Sequence, residues 1–468
     1  MMIVDNIIPS LQLVIDELTT ICGNQFVLTD EDDLYSYERD ETLNLCFPFD
    51  ILVKPSNTEE IAAIVKLCNQ HKIPITPRGG GSGVTGGALP VNGGVVLSLE
   101  RFNQIIDINT IDDYVIAEAG VITADLCDAV EQLDLYFPIA PSSSAYSFIG
   151  GNVAENAGSI YSCKYGTLAQ YVLNLEVVLP NGEIIWTGAN VSKNSTGLNL
   201  TSLFVGSEGI LGIITKVVYK LLPKPKHSAT LLAAFESLED ACNAVIAIKQ
   251  SNVLPAAVEL VCENALHITA NYLQKSFPLL TENIKAHLLV ELQDKTESAL
   301  IHSINAVASI LEEHTSEDIL TASTSLEKEK LWKLRLNIGE ALTHDGKMYR
   351  DIDACVPLSV LYDYIREVEL ICKQYNVSVA CFGHALDGNL HTMLMIGDAT
   401  DEKDINNAAY EIYSYAIAKG GVISGEHGIG LLQKEFMPMQ FSKAYLQLMQ
   451  NIKHLFDPNG ILNPGKIF

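Results

Sequence analysis

Two histidines are spaced so that they could bind a metal ion. His384 and His391 flank Asp387-Gly388, a dipeptide that predicts a tight β-hairpin turn between two apolar runs. Across such a turn the two imidazoles can lie opposite one another, and neutral imidazoles are good ligands for a divalent metal such as zinc. Two unrelated, hydrogen-bonded core histidines would give the same pattern.

A carboxylate and an imidazole also stand side by side between glycines. Glu426 and His427 lie in Gly420-Gly-Val-Ile-Ser-Gly-Glu-His-Gly-Ile-Gly430. Glycines on both sides of such a pair allow close approach of a ligand. The simpler alternative is an ion pair at the start of a helix.

Three glycine-rich segments in the first half of the chain predict a phosphate site. The first has six glycines in the nine residues 79–87, and the others are Gly150–Gly158 and Gly206–Gly212. Successive backbone N–H groups in such loops form a concave nest for phosphate. Gly81–Gly86 matches G-x-G-x-x-G, but no helix signal follows it and no Gly-Lys-Ser/Thr of a P-loop is present. One large phosphate-bearing ligand explains the three segments better than three unrelated turns.

These segments resemble the FAD-binding domain of the vanillyl-alcohol oxidase and p-cresol methylhydroxylase (PCMH) superfamily. Phe456-Asp-Pro-Asn-Gly-Ile-Leu-Asn-Pro-Gly-Lys466 is similar to a typical ending of that family, so the resemblance covers nearly the whole chain. Within the superfamily, the chain looks most like the FAD-linked D-2-hydroxy-acid dehydrogenases: D-lactate dehydrogenase, the FAD-linked subunit of glycolate oxidase, and D-2-hydroxyglutarate dehydrogenase. The resemblance implies FAD-binding roles for Pro77, Arg78, Gly79, Gly80, Gly81, Ser82, Gly83, Thr85, Gly86, Pro141, Ser142, Gly150, Gly151, Asn152, Asn156, Gly158, Glu208, Gly209, Gly212, Ile213 and Asn463. It also implies non-covalent FAD, because Ser82 replaces the histidine of members that tether the cofactor through this loop.

The same resemblance implies the roles of the chemical groups. The implied ligands of a divalent metal, zinc or alternatively manganese, are His384, His391 and Glu426. His427 is implied as the general base, Arg335 as the group that binds the substrate carboxylate, and Asn389 as a further substrate contact. From spacing alone, a solvated helix charge is the favoured interpretation of Arg335. Asn389 is equally compatible with a turn residue.

The chain departs from one branch of the family at the substrate site. D-2-hydroxyglutarate dehydrogenases carry a threonine four residues after the arginine and a lysine farther on, for the distal carboxylate. This chain has Gly339 and Arg350 instead. Arg350 could still bind a distal carboxylate, so the length of the substrate stays open.

The elements that must position these residues predict an α+β protein. Ser56-x-x-Glu59 is a capping-box pattern before a helix, Asn181-Gly182 predicts a hairpin, and Leu222–Lys226 predicts a linker. We expect a PCMH-type FAD-binding domain of two α+β subdomains, a cap domain with an antiparallel sheet, and a C-terminal segment that returns to the FAD domain. The expected boundaries are 1–222, 223–420 and 421–468.

Composition excludes several classes of protein. The net charge is −27, from 30 basic and 57 acidic residues, and this opposes nucleic-acid binding. The ten cysteines are scattered without a C-x-x-C, which indicates reduced thiols and no built-in iron–sulfur module. No apolar run reaches a membrane span, and the N-terminus lacks signal- and transit-peptide features, so we expect a cytoplasmic protein.

The resulting hypothesis is FAD-dependent, metal-assisted oxidation of a D-2-hydroxy acid to the 2-keto acid, with hydride transfer to flavin. The substrate would be D-lactate, glycolate or D-2-hydroxyglutarate. The electrons would pass to a separate acceptor: an electron-transfer flavoprotein, a cytochrome, a quinone or an iron–sulfur subunit. The alternatives are a transferase of the alkyl-dihydroxyacetone-phosphate synthase type and a non-catalytic flavin subunit of a larger complex. The metal, the acceptor and the oligomeric state stay open, a homodimer among the options.

Overall fold

The computed structural model describes residues 8–315, 317–344, 348–396 and 401–468. The chain divides into two compact units. The first unit contains residues up to 157, 167–224 and 426–468, and the second contains residues 158–166 and 225–425.

Helices and strands alternate along much of the chain. The α-helices are α1 (Ile8–Cys22), α2 (Glu31–Leu34), α3 (Thr58–His71), α4 (Thr123–Glu131), α5 (Ile149–Glu155), α6 (Ser162–Tyr165), α7 (Leu200–Phe204), α8 (Leu238–Gln250), α9 (Glu263–Leu273), α10 (Glu297–His314), α11 (Ser325–Leu336), α12 (Ile338–His344), α13 (Leu361–Gln374), α14 (Glu402–Ala418), α15 (Met437–Gln440) and α16 (Lys443–Phe456). The strands are β1 (Val27–Leu28), β2 (Ile51–Val53), β3 (Ile75–Arg78), β4 (Val95–Ser98), β5 (Ile105–Asn109), β6 (Tyr114–Glu118), β7 (Leu135–Tyr136), β8 (Val172–Val178), β9 (Ile184–Trp186), β10 (Ile213–Lys220), β11 (Leu222–Pro223), β12 (His227–Phe235), β13 (Ala257–Cys262), β14 (Ala286–Asp294), β15 (Ile319–Ala322), β16 (Met348–Ile352), β17 (Ser378–His384) and β18 (Asn389–Met395).

The first unit contains two main sheets. One has the order β1-β2-β4-β3, in which β2 and β3 run parallel to β4 and β1 pairs antiparallel with β2. The other is antiparallel, with the order β5-β6-β10-β8-β9. The two sheets agree with the expected pair of α+β subdomains. The glycine-rich loop 79–87 leaves the end of β3.

The hairpin expected at Asn181-Gly182 is confirmed. Strands β8 and β9 pair antiparallel, and the N–H of Gly182 donates to the carbonyl of Leu179 in the turn. Gly182 has a φ of 76°, a conformation that glycine adopts at little cost.

One local prediction was wrong in detail, and another segment has more structure than expected. Helix α3 is capped by Asn57, whose side chain accepts from the N–H of Glu60, so the cap lies one residue later than the pattern beginning at Ser56. Ser56 instead donates its N–H and hydroxyl to the Glu60 carboxylate. The segment expected as a linker begins with strand β11, which pairs with β7. The first two residues of the expected linker, Leu222 and Pro223, therefore pair with Tyr136 and Leu135 of β7.

The second unit is built on one antiparallel sheet with the order β15-β12-β14-β13-β17-β18-β16. Its central strands are buried along their length: every residue of β13 and β18 is buried. The core on one face includes Val261, Leu266, Trp332, Leu334 and Phe382, which belong to β13, α9, α11 and β17. This packing holds α11 against the face of the sheet.

The expected hairpin between His384 and His391 is present, with a longer turn than predicted. Strands β17 and β18 pair in a continuous register that ends with His384 opposite Asn389. A short 3₁₀ turn at Ala385–Asp387 and Gly388, with φ of 74°, connect them. The loop therefore has four residues rather than the two that Asp387-Gly388 suggested.

Two further features concern membrane-spanning helices and the cysteine residues. No helix in the described ranges is long and apolar enough to cross a membrane. All ten cysteines lie in described positions and are free thiols.

Candidate active site

The first unit brings the three glycine-rich segments together. Gly80 lies against the backbone carbonyl of Tyr146, so close that a Cβ would overlap with it. A Cβ at Gly209 would lie 2.8 Å from Cγ of Pro77. The segment after β3 and the residues before α5 thus meet at backbone distance, and the segment before β10 packs on the side chain of Pro77 in β3.

Polar side chains connect these segments to the C-terminal residues. The side-chain amide of Asn463 donates to the carbonyl of Gly87, at 3.0 Å, and to that of Glu208, at 2.8 Å. Lys466 donates from Nζ to the side-chain oxygen of Asn463 at 3.1 Å. The ending that resembles the family motif therefore fixes the first and third glycine segments relative to each other.

Several residues implied as FAD contacts use their side chains inside the protein. The guanidinium of Arg78 is buried and donates to the carbonyls of Ser36 and Tyr37, each at 3.4 Å. The amide of Asn152 donates to the hydroxyl of Thr123 at 2.7 Å, and Asn156 accepts from the N–H of Ala169 at 2.9 Å. Their side chains shape the loops, and the loop backbone is left to meet a ligand.

The other implied FAD residues occupy the same loops, with one exception. Pro77 lies in β3; Gly79, Gly80, Gly81, Ser82, Gly83, Thr85 and Gly86 lie in the following loop; Pro141 and Ser142 precede α5; Gly150 and Gly151 lie in α5; Glu208, Gly209 and Gly212 precede Ile213, the first residue of β10. Gly158 belongs to the second unit. At Gly83 and Gly151 a Cβ would meet no atom within 4 Å, so the loops border open space as a dinucleotide site requires.

The segment that carries Glu426 and His427 is fixed within the first unit from two sides. Thr85 donates from Oγ1 to the backbone carbonyl of His427 at 3.1 Å. The Glu208 carboxylate accepts from the N–H groups of Ile429, at 2.8 Å, and Gly430, at 2.6 Å. No helix begins at Glu426 or His427, so the alternative of an ion pair at a helix start does not apply. The distance between Nε2 of His427 and Oε1 of Glu426 is 3.9 Å.

Buried charges surround this segment. Burial raises the pKa of Glu208 to about 7, although its two backbone N–H donors act in the opposite direction. Burial, together with the charge of Glu208, also raises the pKa of Glu155. Burial lowers the pKa of Lys466 to about 8. The charge of Glu208 thus disfavours a second buried negative charge on Glu155.

In the second unit the predicted residues of the hairpin share one face of the sheet. His384 pairs with Asn389 and with Glu259, and Phe382 pairs with His391. Residues two apart in a strand project to the same side, so all five side chains lie on one face. The imidazoles of His384 and His391 are 5.6 Å apart between ring centroids, at an interplanar angle of 79°.

Glu259 joins two of the predicted groups. Its carboxylate is fully buried; Oε2 accepts from Nε of Arg335 at 2.6 Å, and Oε1 lies 2.5 Å from Nδ1 of His384. Burial alone would raise the pKa of Glu259, but the charges of His384 and Arg335 outweigh it and lower the pKa to about 2. Arg335 is therefore a partly buried, ion-paired side chain and not a solvated helix charge.

Asp353 joins two further parts of the same unit. Oδ1 accepts from the side-chain amide of Asn389 at 2.9 Å, and Oδ2 accepts from Ser424 Oγ and from the N–H of Gly425, both at 2.9 Å. Asp353 is 1% exposed. Asn389 is thus a positioned strand residue rather than a turn residue, and Gly425, directly before Glu426, is fixed to it through one carboxylate.

Arg350 lies on β16, the strand at one edge of the same sheet. It pairs with Leu394 in the register of β16 and β18, and Leu394 alternates with Met393 along the strand. Its Cβ therefore projects to the face opposite that of His391. Asp351, the next residue, projects to the histidine face and has Oδ2 at 3.6 Å from Nδ1 of His391.

Sequence reasoning missed Glu259 and Asp353. A glutamate at the centre of the apolar strand Ala257–Cys262 was a usable signal, because a carboxylate buried in a core requires charged partners. The identity of those partners was not visible locally.

Two family models match this chain. A model described as "FAD linked oxidases, C-terminal domain" matches residues 224–467, and one described as "FAD binding domain" matches residues 49–188. The chain belongs to the family of FAD-linked oxidases and is an FAD-linked oxidoreductase.

Curated relatives agree with this membership. Glycolate oxidase subunit GlcD of Bacillus subtilis is 38% identical over 90% of this chain and 89% of its own length. A D-lactate dehydrogenase of Anaerostipes hadrus is 35% identical over 98% and 95%, and a D-2-hydroxyglutarate dehydrogenase of Stutzerimonas stutzeri is 30% identical over 97% and 98%. The resemblance inferred from the motifs is confirmed.

Solved structures confirm the fold. p-Cresol methylhydroxylase with substrate bound matches with a TM-score of 0.79 at 20% identity, over 98% of this chain and 97% of that one. An alkyldihydroxyacetonephosphate synthase matches with a TM-score of 0.75 at 16% identity, over 97% and 84%. At such identities the likeness concerns the fold alone.

Proposed function

We propose that this chain is an FAD-dependent, divalent-metal-assisted dehydrogenase of D-2-hydroxy acids. The observation that carries the proposal is the shared face of the second unit's sheet, where a guanidinium, two imidazoles and an amide are gathered and fixed by buried carboxylates. The names of the relatives give the substrate class: D-lactate, glycolate and D-2-hydroxyglutarate.

Each residue has a role that its contacts support. Arg335 would bind the substrate carboxylate through its terminal nitrogens, because Nε is already engaged by Glu259. Asn389 would contact the substrate beside it. His427 would accept the proton of the substrate hydroxyl at a ring nitrogen. The α-hydrogen then leaves as hydride and the 2-keto acid results.

The donor set fits a borderline divalent metal. Nδ1 of His384 faces Glu259, so the neutral ring would bind a metal through Nε2, and imidazole and carboxylate are common zinc ligands. We propose His384, His391 and Glu426 as the ligands; Glu426 directly follows Gly425, which Asp353 holds. Bound there, zinc or manganese would supply positive charge next to the substrate hydroxyl, and bound FAD supplies the hydride acceptor.

The remaining parts of the proposal follow from the family. The FAD is proposed to be non-covalent, the proposed FAD-binding and cap domains are residues 1–222 and 223–420, and the electrons leave to a separate acceptor. The transferase alternative has only fold similarity to support it, whereas three relatives that match at 30% identity or more are named as a glycolate oxidase subunit, a D-lactate dehydrogenase and a D-2-hydroxyglutarate dehydrogenase.

A dye-reduction assay tests the proposal. Purified protein with FAD is given D-lactate, glycolate and D-2-hydroxyglutarate with an artificial electron acceptor, before and after treatment with a chelator. We expect turnover of at least one acid, loss of turnover on chelation with an unchanged flavin spectrum, and recovery on addition of zinc or manganese. Absence of turnover with all three acids would favour a non-catalytic subunit, and full activity in protein shown to be metal-free by elemental analysis would remove the metal from the proposal.

A further inference from the structure

We propose that Glu259 is a positioning residue that fixes the substrate-binding Arg335 and the metal-binding His384 relative to each other. This inference rests on the proposed function of those two side chains. It assigns a role to a residue that no sequence motif indicated.

The carboxylate of Glu259 is shared between two partners. Glu259 is 0% exposed, and each of its two oxygens faces a different partner: Oε2 the Nε of Arg335 at 2.6 Å, Oε1 the Nδ1 of His384 at 2.5 Å. A fully buried carboxylate on a central strand cannot rotate freely, because each oxygen would lose its partner. The positions of Arg335 and His384 are therefore coupled through one rigid group.

The orientation of the Arg335 guanidinium depends on two contacts. Its Nε–H edge is directed at Glu259, and its guanidinium carbon lies 4.8 Å from the centre of the Phe382 ring. Glu259 fixes one edge of the planar guanidinium, and the Phe382 ring packs against the guanidinium group. Only the terminal nitrogens then remain to meet a substrate carboxylate, and their direction is set by Glu259.

Glu259 also selects the tautomer of a neutral His384 ring. A carboxylate at Nδ1 stabilises the proton on that nitrogen, so Nε2 presents its lone pair. Carboxylate partners of this kind orient metal-binding imidazoles, and their removal typically weakens metal affinity roughly 10- to 100-fold.

A second buried glutamate of the same sheet supplies a matched control. Glu291, on the neighbouring strand β14, is 5% exposed and interacts with Thr230, Trp332 and Lys328. Trp332 and Lys328 belong to α11, the helix of Arg335. Glu291 thus holds the same helix to the same sheet, but through Trp332 and Lys328 rather than through Arg335.

The experiment compares Glu259→Gln with Glu291→Gln in the FAD-loaded full-length protein. The side-chain oxygen of a glutamine can accept a hydrogen bond from either Arg335 or His384. Its NH₂ group then faces the N–H of the other partner, and two donors cannot form a hydrogen bond. For Glu259→Gln we expect zinc affinity, measured by competition with a chromophoric chelator, to fall roughly 10- to 100-fold. We also expect KM for the best D-2-hydroxy acid to rise at least about tenfold, since the arginine is no longer fixed.

Glu291→Gln should lower the melting temperature and leave zinc affinity and KM near those of the wild type. Glu259→Asp is the second variant, in case the glutamine variant does not fold. It keeps the charge but is one methylene shorter, so it cannot reach both partners, and the same two defects should appear.

The outcomes separate this inference from the proposed function. A wild-type protein that binds no metal and oxidises no hydroxy acid would contradict the proposed function itself. If the wild type does both, the inference is overturned by a Glu259→Gln protein that behaves like Glu291→Gln, or by a Glu259→Asp protein with unchanged zinc affinity and KM.

Discussion

The hydroxyl of Thr85 donates a hydrogen bond to the backbone carbonyl of His427, 3.1 Å away and 342 positions later in the chain. The carbonyl of Thr85 in turn accepts from the N–H groups of Leu431 and Leu432. The glycine-rich loop that is expected to hold the FAD pyrophosphate therefore also holds the proposed general base. This relationship predicts that the two functions can be separated by a small change.

Thr85→Val should impair catalysis more than FAD binding. Valine keeps the shape of threonine but leaves the His427 carbonyl without this donor, so the imidazole can shift. A shift of about 1 Å in a proton acceptor can lower kcat on the order of a hundredfold. Steady-state kinetics and the flavin content of the purified protein measure both effects. Thr85→Ser retains the hydroxyl and should stay near wild type; equal loss of kcat in both variants would contradict the role of the hydrogen bond.

Gly80→Ala should weaken FAD binding. The added methyl group would overlap with the carbonyl of Tyr146, which forces apart the first two glycine-rich segments. Such overpacking costs about 1–3 kcal/mol, or roughly a 5- to 150-fold loss of affinity. Titration of apoprotein with FAD, followed by flavin fluorescence, gives the dissociation constant. Gly339→Ala, at a helix position with no atom near the new Cβ, is the control. An unchanged FAD affinity in Gly80→Ala would show that this contact does not shape the site.

Flavin should be released by acid. The loop carries Ser82 where relatives with a tethered cofactor have a histidine, so we expect no covalent bond from this position. After acid precipitation the yellow colour should remain in the supernatant, with an absorbance that accounts for the flavin bound before treatment. Colour that stays in the washed pellet would show a covalent link elsewhere in the protein.

Local patterns predicted the parts of the molecule that depend on near neighbours. The hairpin around Asp387-Gly388 and the turn at Asn181-Gly182 follow from residues only a few positions apart. The start of α3 was displaced by one residue because Ser56-x-x-Glu59 and Asn57-x-x-Glu60 are overlapping capping patterns, and the asparagine provides the cap.

The partners of Glu259 could not be predicted in this way. It meets Arg335 across 76 positions and His384 across 125. Neither pair is encoded by a spacing rule, since the sheet order β13-β17 and the packing of α11 decide both contacts. The family resemblance pointed to Arg335 and His384 individually, but the carboxylate that joins them becomes visible only once the strands are paired.

Stability should fall in mild acid through His287. This side chain is 2% exposed on β14, and burial lowers its pKa to about 4, although the carbonyl of Leu279 opposes the shift. The unfolded chain binds a proton below about pH 6.5, whereas the folded chain resists protonation until about pH 4. The stabilisation is therefore complete above about pH 6.5 and is lost as the pH falls between these values.

The expected loss from His287 is about 2.5 kcal/mol between about pH 7.5 and about pH 4.5. Urea unfolding of the wild type and of His287→Gln at both pH values measures it, because the variant lacks the titrating group and should lose less stability on acidification. His302→Gln changes an exposed histidine of α10 and should follow the wild type. Parallel pH dependence in wild type and His287→Gln would contradict the prediction.

Turnover should be selective for the D enantiomer and should depend on the planar fork of Arg335. Three contacts would fix three substituents of the α-carbon: the carboxylate on Arg335, the hydroxyl at the metal site and the hydrogen directed at the flavin. Only one handedness satisfies all three.

Lysine at position 335 keeps the positive charge but loses both the Nε–H that bonds Glu259 and the paired terminal donors, so the carboxylate can rotate. We expect Arg335→Lys to lower kcat/KM on the order of a hundredfold, and a wild-type rate on D-lactate that far exceeds the rate on L-lactate. Both are measured by initial rates of dye reduction with matched FAD content. Comparable rates on the two enantiomers, or an Arg335→Lys protein near wild type on every active D-hydroxy acid, would show that Arg335 does not bind the substrate carboxylate.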